Sequence, residues 1–327
     1  MTARVVHLVA PSRLHFGMLG FGQPGARQFG GVGAMIDAPG LRLSIVAAER
    51  FGVKGPLAER VFEFVEHMRT CAPWLPSELP CRIEVESAPR PHVGLGSGTQ
   101  LAMAVAIGLN VFFEGPSRSA AEFARSVGRG RRSAIGVHGA LAGGLLVEAG
   151  KRTGDALSPL IGRLELPSSW RFLLLTPHDE QGLSGADERR AFDRLPGVPA
   201  ATTARLSHVV LLELLPSAME GDFERFSDSL YVFGRLAGEC FAPQQGGAFA
   251  GPYSLGLIER LRDLGIRGVG QSSWGPTVFA MTRDAAEAER VVAHVRQAEG
   301  AAEIECTIAA PDNGGTQTKL TNSGVYP

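Results

Sequence analysis

The chain has 327 residues, 44% of them hydrophobic and 20% charged, an ordinary globular composition with length enough for two domains of typical size. A formal net charge of −1 supplies no global positive field for DNA or RNA, so nucleic acid is excluded as an expected partner and any anion site must be built locally from loops and a few arginines. Cys71, Cys81, Cys240 and Cys306 are scattered, without a Cys-x-x-Cys pair or a close His/Cys group, which suits packed, reduced thiols and gives no sign of structural zinc.

The N-terminus lacks the apolar region of a signal peptide, and no segment approaches the roughly 20 apolar residues that span a bilayer. The expected compartment is the cytoplasm, with no membrane partner. Residues 5–10 read as an apolar strand that stops at Pro11, and 41–46 alternate as a second strand. Leu57, Val61, Phe64, Val65 and Met68 repeat at helical spacing, and 81–86 alternates again. A glycine-rich loop, 94–100, then opens a helix over 99–113 that is apolar on nearly every side and therefore belongs in the middle of a domain. Residues 143–148 read as a strand, and 170–176 begins a second block. Helical patterns at 202–219, 222–240 and 253–264 lead into a second glycine-rich stretch, 268–276, and a strand at 277–281. A helix, 285–298, and a strand, 303–309, follow. Short strands mixed with helices, with few successive parallel crossovers, predict an α+β chain of two domains, 1–160 and 161–327. The polar, turn-rich tail at 312–319 and 321–324 is either a frayed end or a loop returning to the site.

The loop Gly94-Leu-Gly-Ser-Gly-Thr-Gln100 carries the clearest chemistry. A helix starting near Ser97 or Thr99 leaves its first backbone N–H groups without partners, and its dipole favours negative charge there. Gly94, Gly96 and Gly98 let the backbone approach a phosphate, and Ser97 and Thr99 add hydroxyl donors. The loop has no lysine, and its spacing is neither the Walker pattern nor the dinucleotide fingerprint. A plain glycine turn capping a buried helix is the bland alternative.

The segment His92-Val-Gly-Leu-Gly-Ser-Gly-Thr-Gln100 resembles the second motif of the GHMP kinase superfamily. Ala10-Pro-Ser-Arg-Leu-His-Phe-Gly-Met-Leu19 sits where that superfamily has its first motif, and Gly270-Gln-Ser-Ser-Trp-Gly-Pro-Thr277 where it has its third. The resemblance covers essentially the whole chain and implies the two-domain GHMP-kinase fold. Two departures weaken a kinase function: Gly98 replaces the second serine of the loop, and no aspartate follows Ser133 where many of these kinases carry Ser-Gly-x-x-Asp. The wording of the three motifs, with Arg132-Ser-Ala-Ile-Gly136 and Gly182-Leu-Ser-Gly-Ala-Asp-Glu-Arg-Arg-Ala-Phe192, resembles the β-ribofuranosylaminobenzene 5′-phosphate synthase family.

That resemblance implies a phosphoribosyltransferase of tetrahydromethanopterin synthesis. Phosphoribosyl pyrophosphate and either 4-hydroxybenzoate or 4-aminobenzoate would combine with loss of pyrophosphate and CO2, Mg²⁺ assisting. Its site would hold Ser12, Arg13, Gly30, Gly31, His92, the loop residues through Thr99 and Gln100, Arg132, Ser133, Gln271, Ser272, Ser273, Trp274 and Gly275. Arg13 and Arg132 match a phosphate or carboxylate bidentately, although surface arginines need no function. His15, Asp187 and Glu188 are the candidate acid–base residues. A buried, hydrogen-bonded histidine and a charged first helical turn are their alternatives. Gly30-Gly31 is either a close-approach loop near the ribose or a turn. Metal ligands are not assigned, and the homodimer expectation rests on fold analogy. An ATP-dependent small-molecule kinase, or a binding protein that kept the fold, are the competing functions.

Overall fold

The computed structural model describes residues 3–182, 185–297 and 303–323, with backbone alone at 3, 186–189 and 322–323. Its first half runs β1 (Ala3–Met18), β2 (Gly31–Ala47), β3 (Gly52–Lys54), α1 (Ala58–Cys71), β4 (Cys81–Ser87), α2 (Ser97–Phe112), α3 (Ala120–Ser126), α4 (Ile135–Ala142), β5 (Leu145–Glu148) and β6 (Leu160–Leu164). The second half runs β7 (Arg171–Pro177), α5 (Gly185–Asp193), α6 (Ala200–Val209), a π-helical turn (Val210–Leu214), α7 (Leu215–Glu220), α8 (Phe223–Glu239), α9 (Ala242–Gln245) and α10 (Gly251–Asp263). It closes with β8 (Val269–Gln271), β9 (Val278–Thr282), α11 (Ala285–Arg296), β10 (Ile304–Ala309) and β11 (Gln317–Ser323). This is the α+β mixture of short strands and helices expected from the sequence.

β1 does not stop at Pro11. It continues to Met18, and its pairing with β2 jumps from Ala10↔Leu41 to Ser12↔Ile36. Proline cannot donate to a ladder, and it sits where β2 loops out, so the strand survives it. The long β1 and β2 form the spine of a seven-stranded sheet in the order β11-β1-β2-β4-β3, with β5 and β6 branching from the first half of β2. The helix over 99–113 is α2, starting two residues early. It lies buried against this sheet, where Gly108 leaves room for Ile45 and Leu8.

β7, the centre of a four-stranded sheet ordered β10-β7-β9-β8, buries both faces. Phe172 and Leu174 face a core shared with Leu14, Phe16, Phe226, Phe233 and Phe279, while Leu173 and Leu175 pack under α10 and α11. The first of these cores joins β1 of one sheet to β7 and β9 of the other, so the ends of β1 and β8 meet across it. The predicted helix 202–219 is broken by the π-helical turn. Pro216 follows it at the start of α7, lacking an N–H and crowding the carbonyl four residues back. The tail is neither frayed through 323 nor a site loop. Asp312 Oδ1 accepts the Gly314 and Gly315 amides, and β11 then pairs antiparallel with β1.

Candidate active site

Three loops converge where the glycine turn before α2, the last part of β1 and the β8–β9 connection touch. Gly94 (φ +94°) and Gly96 (φ +67°) occupy the left-handed region, which costs glycine nothing. A Cβ on Gly275 would collide with the Gly94 backbone, and one on Gly94 with the Ser272 carbonyl. Ser272, fully buried, donates from Oγ to the Gly94 carbonyl at 2.7 Å and accepts the His15 amide at 3.1 Å. Gln271 spans its own loop, accepting the Ala250 amide and donating to the Gly275 carbonyl. Ser272 and Gln271 are therefore the fasteners of the loop junction, although Gln271 also borders the cleft.

The junction opens onto a cleft of roughly 1130 Å³. Gly96, Ser97, Gly98 and Thr99 present the start of α2 to it, a helix terminus suited to an anion. Arg13 reaches over it: its guanidinium donates to Ser273 Oγ at 3.1 Å and to the Gly94 carbonyl at 3.4 Å. Arg60, Arg129, Arg131 and Arg132 line the same cleft. Arg129 lies 5.0 Å from the Phe64 ring centroid and its Nε is buried without a partner. Burial, then Arg60 and Arg131, lower its pKa to about 10, so it stays cationic at neutral pH.

The same cleft is lined by an aromatic cluster. Phe241 meets Trp274 edge-on at 5.4 Å between centroids, Phe192 lies 6.1 Å from Trp274, and Arg132 sits over the Phe192 ring at 5.3 Å. The Trp274 indole N–H is buried with no acceptor, an unusual state for a buried donor. Gly182 is pressed against Trp274 and donates its amide to the His92 carbonyl at 2.7 Å, tying the second half of the chain to the rim.

His15 is 4% exposed, and its Nε2 has no hydrogen-bond partner. Burial first, and Arg13 second, push its pKa down to about 3. Such an imidazole is neutral across the physiological range and binds a proton weakly, which suits hydrogen bonding to a ligand better than accepting a phenolic proton. Because the folded value lies below the unfolded 6.5, the unfolded chain takes up this proton first. The native state then loses stability as pH falls from 6.5 towards 3, by at most about 1.4 kcal/mol per pH unit. Chemical denaturation at pH 7 and pH 4.5 should show His15→Gln narrowing the acid loss relative to wild type; an unchanged difference would show that His15 is not buried neutral.

The sequence matches the family described as "GHMP kinases N terminal domain" over residues 57–144 and that described as "GHMP kinases C terminal" over 212–301. A β-ribofuranosylphenol 5′-phosphate synthase of Methanothermobacter thermautotrophicus is 31% identical over 308 residues, covering 85% of this chain and 89% of that protein. One from Archaeoglobus fulgidus is 31% identical over 293 residues, covering 85% and 88%. The chain belongs to the β-ribofuranosylphenol 5′-phosphate synthase family. A homoserine kinase structure from Cytophaga hutchinsonii superposes with TM-score 0.67 at 15% identity, covering 96% of this chain and 97% of that one, a likeness of fold.

Within this synthase-family chain, the cleft collects Arg13, His15, His92, Gly94, Gly96, Ser97, Gly98, Thr99, Arg132, Ser133, Gln271, Ser273, Trp274 and Gly275. Ser12, Gly30, Gly31, Gln100 and Ser272 stand behind it. Ser12 donates to the Pro39 carbonyl, and Gln100 ties α2 to α4 through the Gly136 carbonyl. Gly30 and Gly31 are a packing point: a Cβ at Gly30 would press on Ala149 and one at Gly31 on the Gly17 carbonyl, where β1, β2 and β5 crowd. Asp187 and Glu188 fall on α5, where their side chains lie outside the described residues. Sequence reasoning missed Arg60, Arg129, Arg131, Phe192 and Phe241, all of which line the cleft. The run Gly128-Arg-Gly-Arg-Arg132 was a usable signal for three basic side chains at an anion site; nothing local marks the two phenylalanines.

Proposed function

We propose that this chain is a pentosyltransferase that joins phosphoribosyl pyrophosphate to 4-hydroxybenzoate with release of pyrophosphate and CO2, giving a β-ribofuranosylphenol 5′-phosphate. The observation that carries it is that one cleft brings together a helix terminus with several arginines and a cluster of aromatic rings. One substrate is polyanionic and the other is a flat ring, and each of these groups suits one of them. The phenol acceptor is preferred over 4-aminobenzoate because the curated relatives are named for a phenol product. The Gly96–Thr99 turn and Arg13 would take the pyrophosphate and its growing charge as the anomeric bond breaks. Arg60, Arg129 and Arg131 would take the 5′-phosphate. Trp274 and Phe192 would shelter the acceptor carboxylate from water, favouring its loss as CO2.

Among the described residues no three His, Cys, Asp or Glu side chains gather into a metal site. Mg²⁺ in phosphate sites often takes only one or two carboxylates beside substrate oxygens and water, and Asp193 lines the cleft. We therefore propose that Mg²⁺ enters on the pyrophosphate. Among the described residues no helix is long and apolar enough to cross a membrane; a cytoplasmic homodimer is proposed on the resemblance alone. Incubating the protein with Mg²⁺, phosphoribosyl pyrophosphate and either acid tests the acceptor assignment. Pyrophosphate should appear rapidly with 4-hydroxybenzoate; release with 4-aminobenzoate alone would reverse that assignment.

A further inference from the structure

Glu148 ends β5 with none of its surface exposed, and the chemistry above leaves it without a task. A buried carboxylate is costly unless its oxygens are bonded. Here Oε1 accepts the Ser133 hydroxyl at 2.6 Å and Oε2 the Ala134 amide at 2.8 Å. These donors are neutral, as are the Ser158 hydroxyl and the Ile135 amide beside them; burial raises the carboxyl above its ordinary range although the bonds from Ser133, Ala134, Ser158 and Ile135 oppose the rise. Charged and titratable neighbours are engaged elsewhere or neutral. Lys151 donates to the Gly130 carbonyl, His138 bonds the Ser158 carbonyl, and His15, reaching the Gly31 backbone opposite Glu148, is uncharged. Arg132 lies over Phe192.

Ser133 lines the cleft. Its Oγ gives its own proton to Glu148 and accepts the Ile135 amide at 3.3 Å, leaving a lone pair for a donor arriving from the cleft. Its neighbour Arg132 lies over the Phe192 ring, and Ser133 lines the same cleft as that aromatic cluster. Capping the start of α4 accounts for the Ala134 bond but not for a short bond directed at a cleft-lining hydroxyl.

We propose that Ser133 and Glu148 form a proton relay that takes the hydroxyl proton of the aryl acceptor and later returns it; this rests on the transferase function above. As the acceptor O–H proton passes to Ser133 Oγ, the serine proton passes to Glu148. The freed oxygen pair drives the ring carbon bearing the carboxylate onto the anomeric carbon, and the C–O bond to pyrophosphate breaks with its electron pair. Loss of CO2 returns the pair of the broken C–C bond to the ring. The resulting phenolate recovers its proton from Ser133, which is refilled from Glu148. Ser133 would touch the substrate, while Glu148 acts through it.

The test compares wild type with Ser133→Ala, Ser133→Thr and Glu148→Gln, using 4-hydroxybenzoate and a ring-fluorinated analogue whose hydroxyl is ionised at the assay pH. Ser133→Ala and Glu148→Gln should lower kcat about 100-fold with 4-hydroxybenzoate, leave KM for phosphoribosyl pyrophosphate unchanged, and lose less than about threefold with the analogue. Threonine should restore most of the rate. Should Glu148→Gln fail to fold, Ser133→Ala decides, because it leaves Glu148 bonded to the Ala134 amide. Equal losses with both acceptors, or full activity in Ser133→Ala, would overturn the relay alone. A wild type releasing no pyrophosphate with either acceptor would overturn the transferase function and the relay with it.

Discussion

Arg13→Gln is expected to lower kcat/KM for phosphoribosyl pyrophosphate by about 10²- to 10³-fold, the loss that follows removal of a preorganised donor at a developing anion. Arg13 is half-buried on β1, its backbone amide is held by the Leu95 carbonyl at 3.0 Å, and its guanidinium is braced by Ser273 and Gly94. The bracing places a fixed charge over the first turn of α2, so little reorganisation is needed when the leaving group ionises. Glutamine keeps much of the length and can still bond Ser273, which separates lost charge from lost packing. The backbone bond does not depend on the side chain, so the melting temperature should hold. Steady-state kinetics with circular dichroism on the same preparation check both points; a change below about threefold would remove Arg13 from the anion site.

The second large effect belongs to a residue with no side chain. Gly275→Ala would set a Cβ against the Gly94 backbone, and neither side of that contact is a flexible side chain that could swing away. The two loops must separate, and with them Trp274, Ser273 and the turn opening α2. Displacement of reacting groups by about 1 Å costs on the order of 100-fold in rate, and overpacking of this kind costs about 1–3 kcal/mol. Gly275→Ala should therefore lose at least about 100-fold in kcat, with a lowered melting temperature. Gly221→Ala is the control: Gly221 also has positive φ, +68°, but a Cβ there meets nothing within 4 Å. It should cost about 1 kcal/mol of stability and no activity. Equal kinetic losses in the two variants would mean that general destabilisation, not the junction, governs turnover.

Much of the fold was legible because each half carries strong local signals. The all-round apolar 99–113 could only be a central helix, and the alternation at 41–46 and 81–86 marked half-buried strands. Two of the misread points share a cause, namely long-range pairing overriding a local breaker, whereas the helix 202–219 was interrupted locally at Pro216. Pro11 reads as a stop, yet β2 bulges around it; the polar tail reads as loose, yet it completes the sheet beside β1. The same division holds at the site. The glycine turn, Arg13 and Trp274 were found through motifs with a physical rationale. Glu148 was invisible because it ends an apolar strand and meets Ser133 only when β5 and α4 fold together, and Phe192 and Phe241 join Trp274 from two separate helices' ends.

The most direct measurement follows carboxyl-labelled 4-hydroxybenzoate and phosphoribosyl pyrophosphate through the wild-type protein with Mg²⁺, counting trapped labelled CO2, pyrophosphate and aryl product together. The cleft as described predicts all three in equal amounts, with the product carrying a bond between the ring carbon and the sugar and with no requirement for ATP. Labelled carboxylate retained in the product, or ADP formed from ATP with a small alcohol while pyrophosphate stays absent, would contradict it.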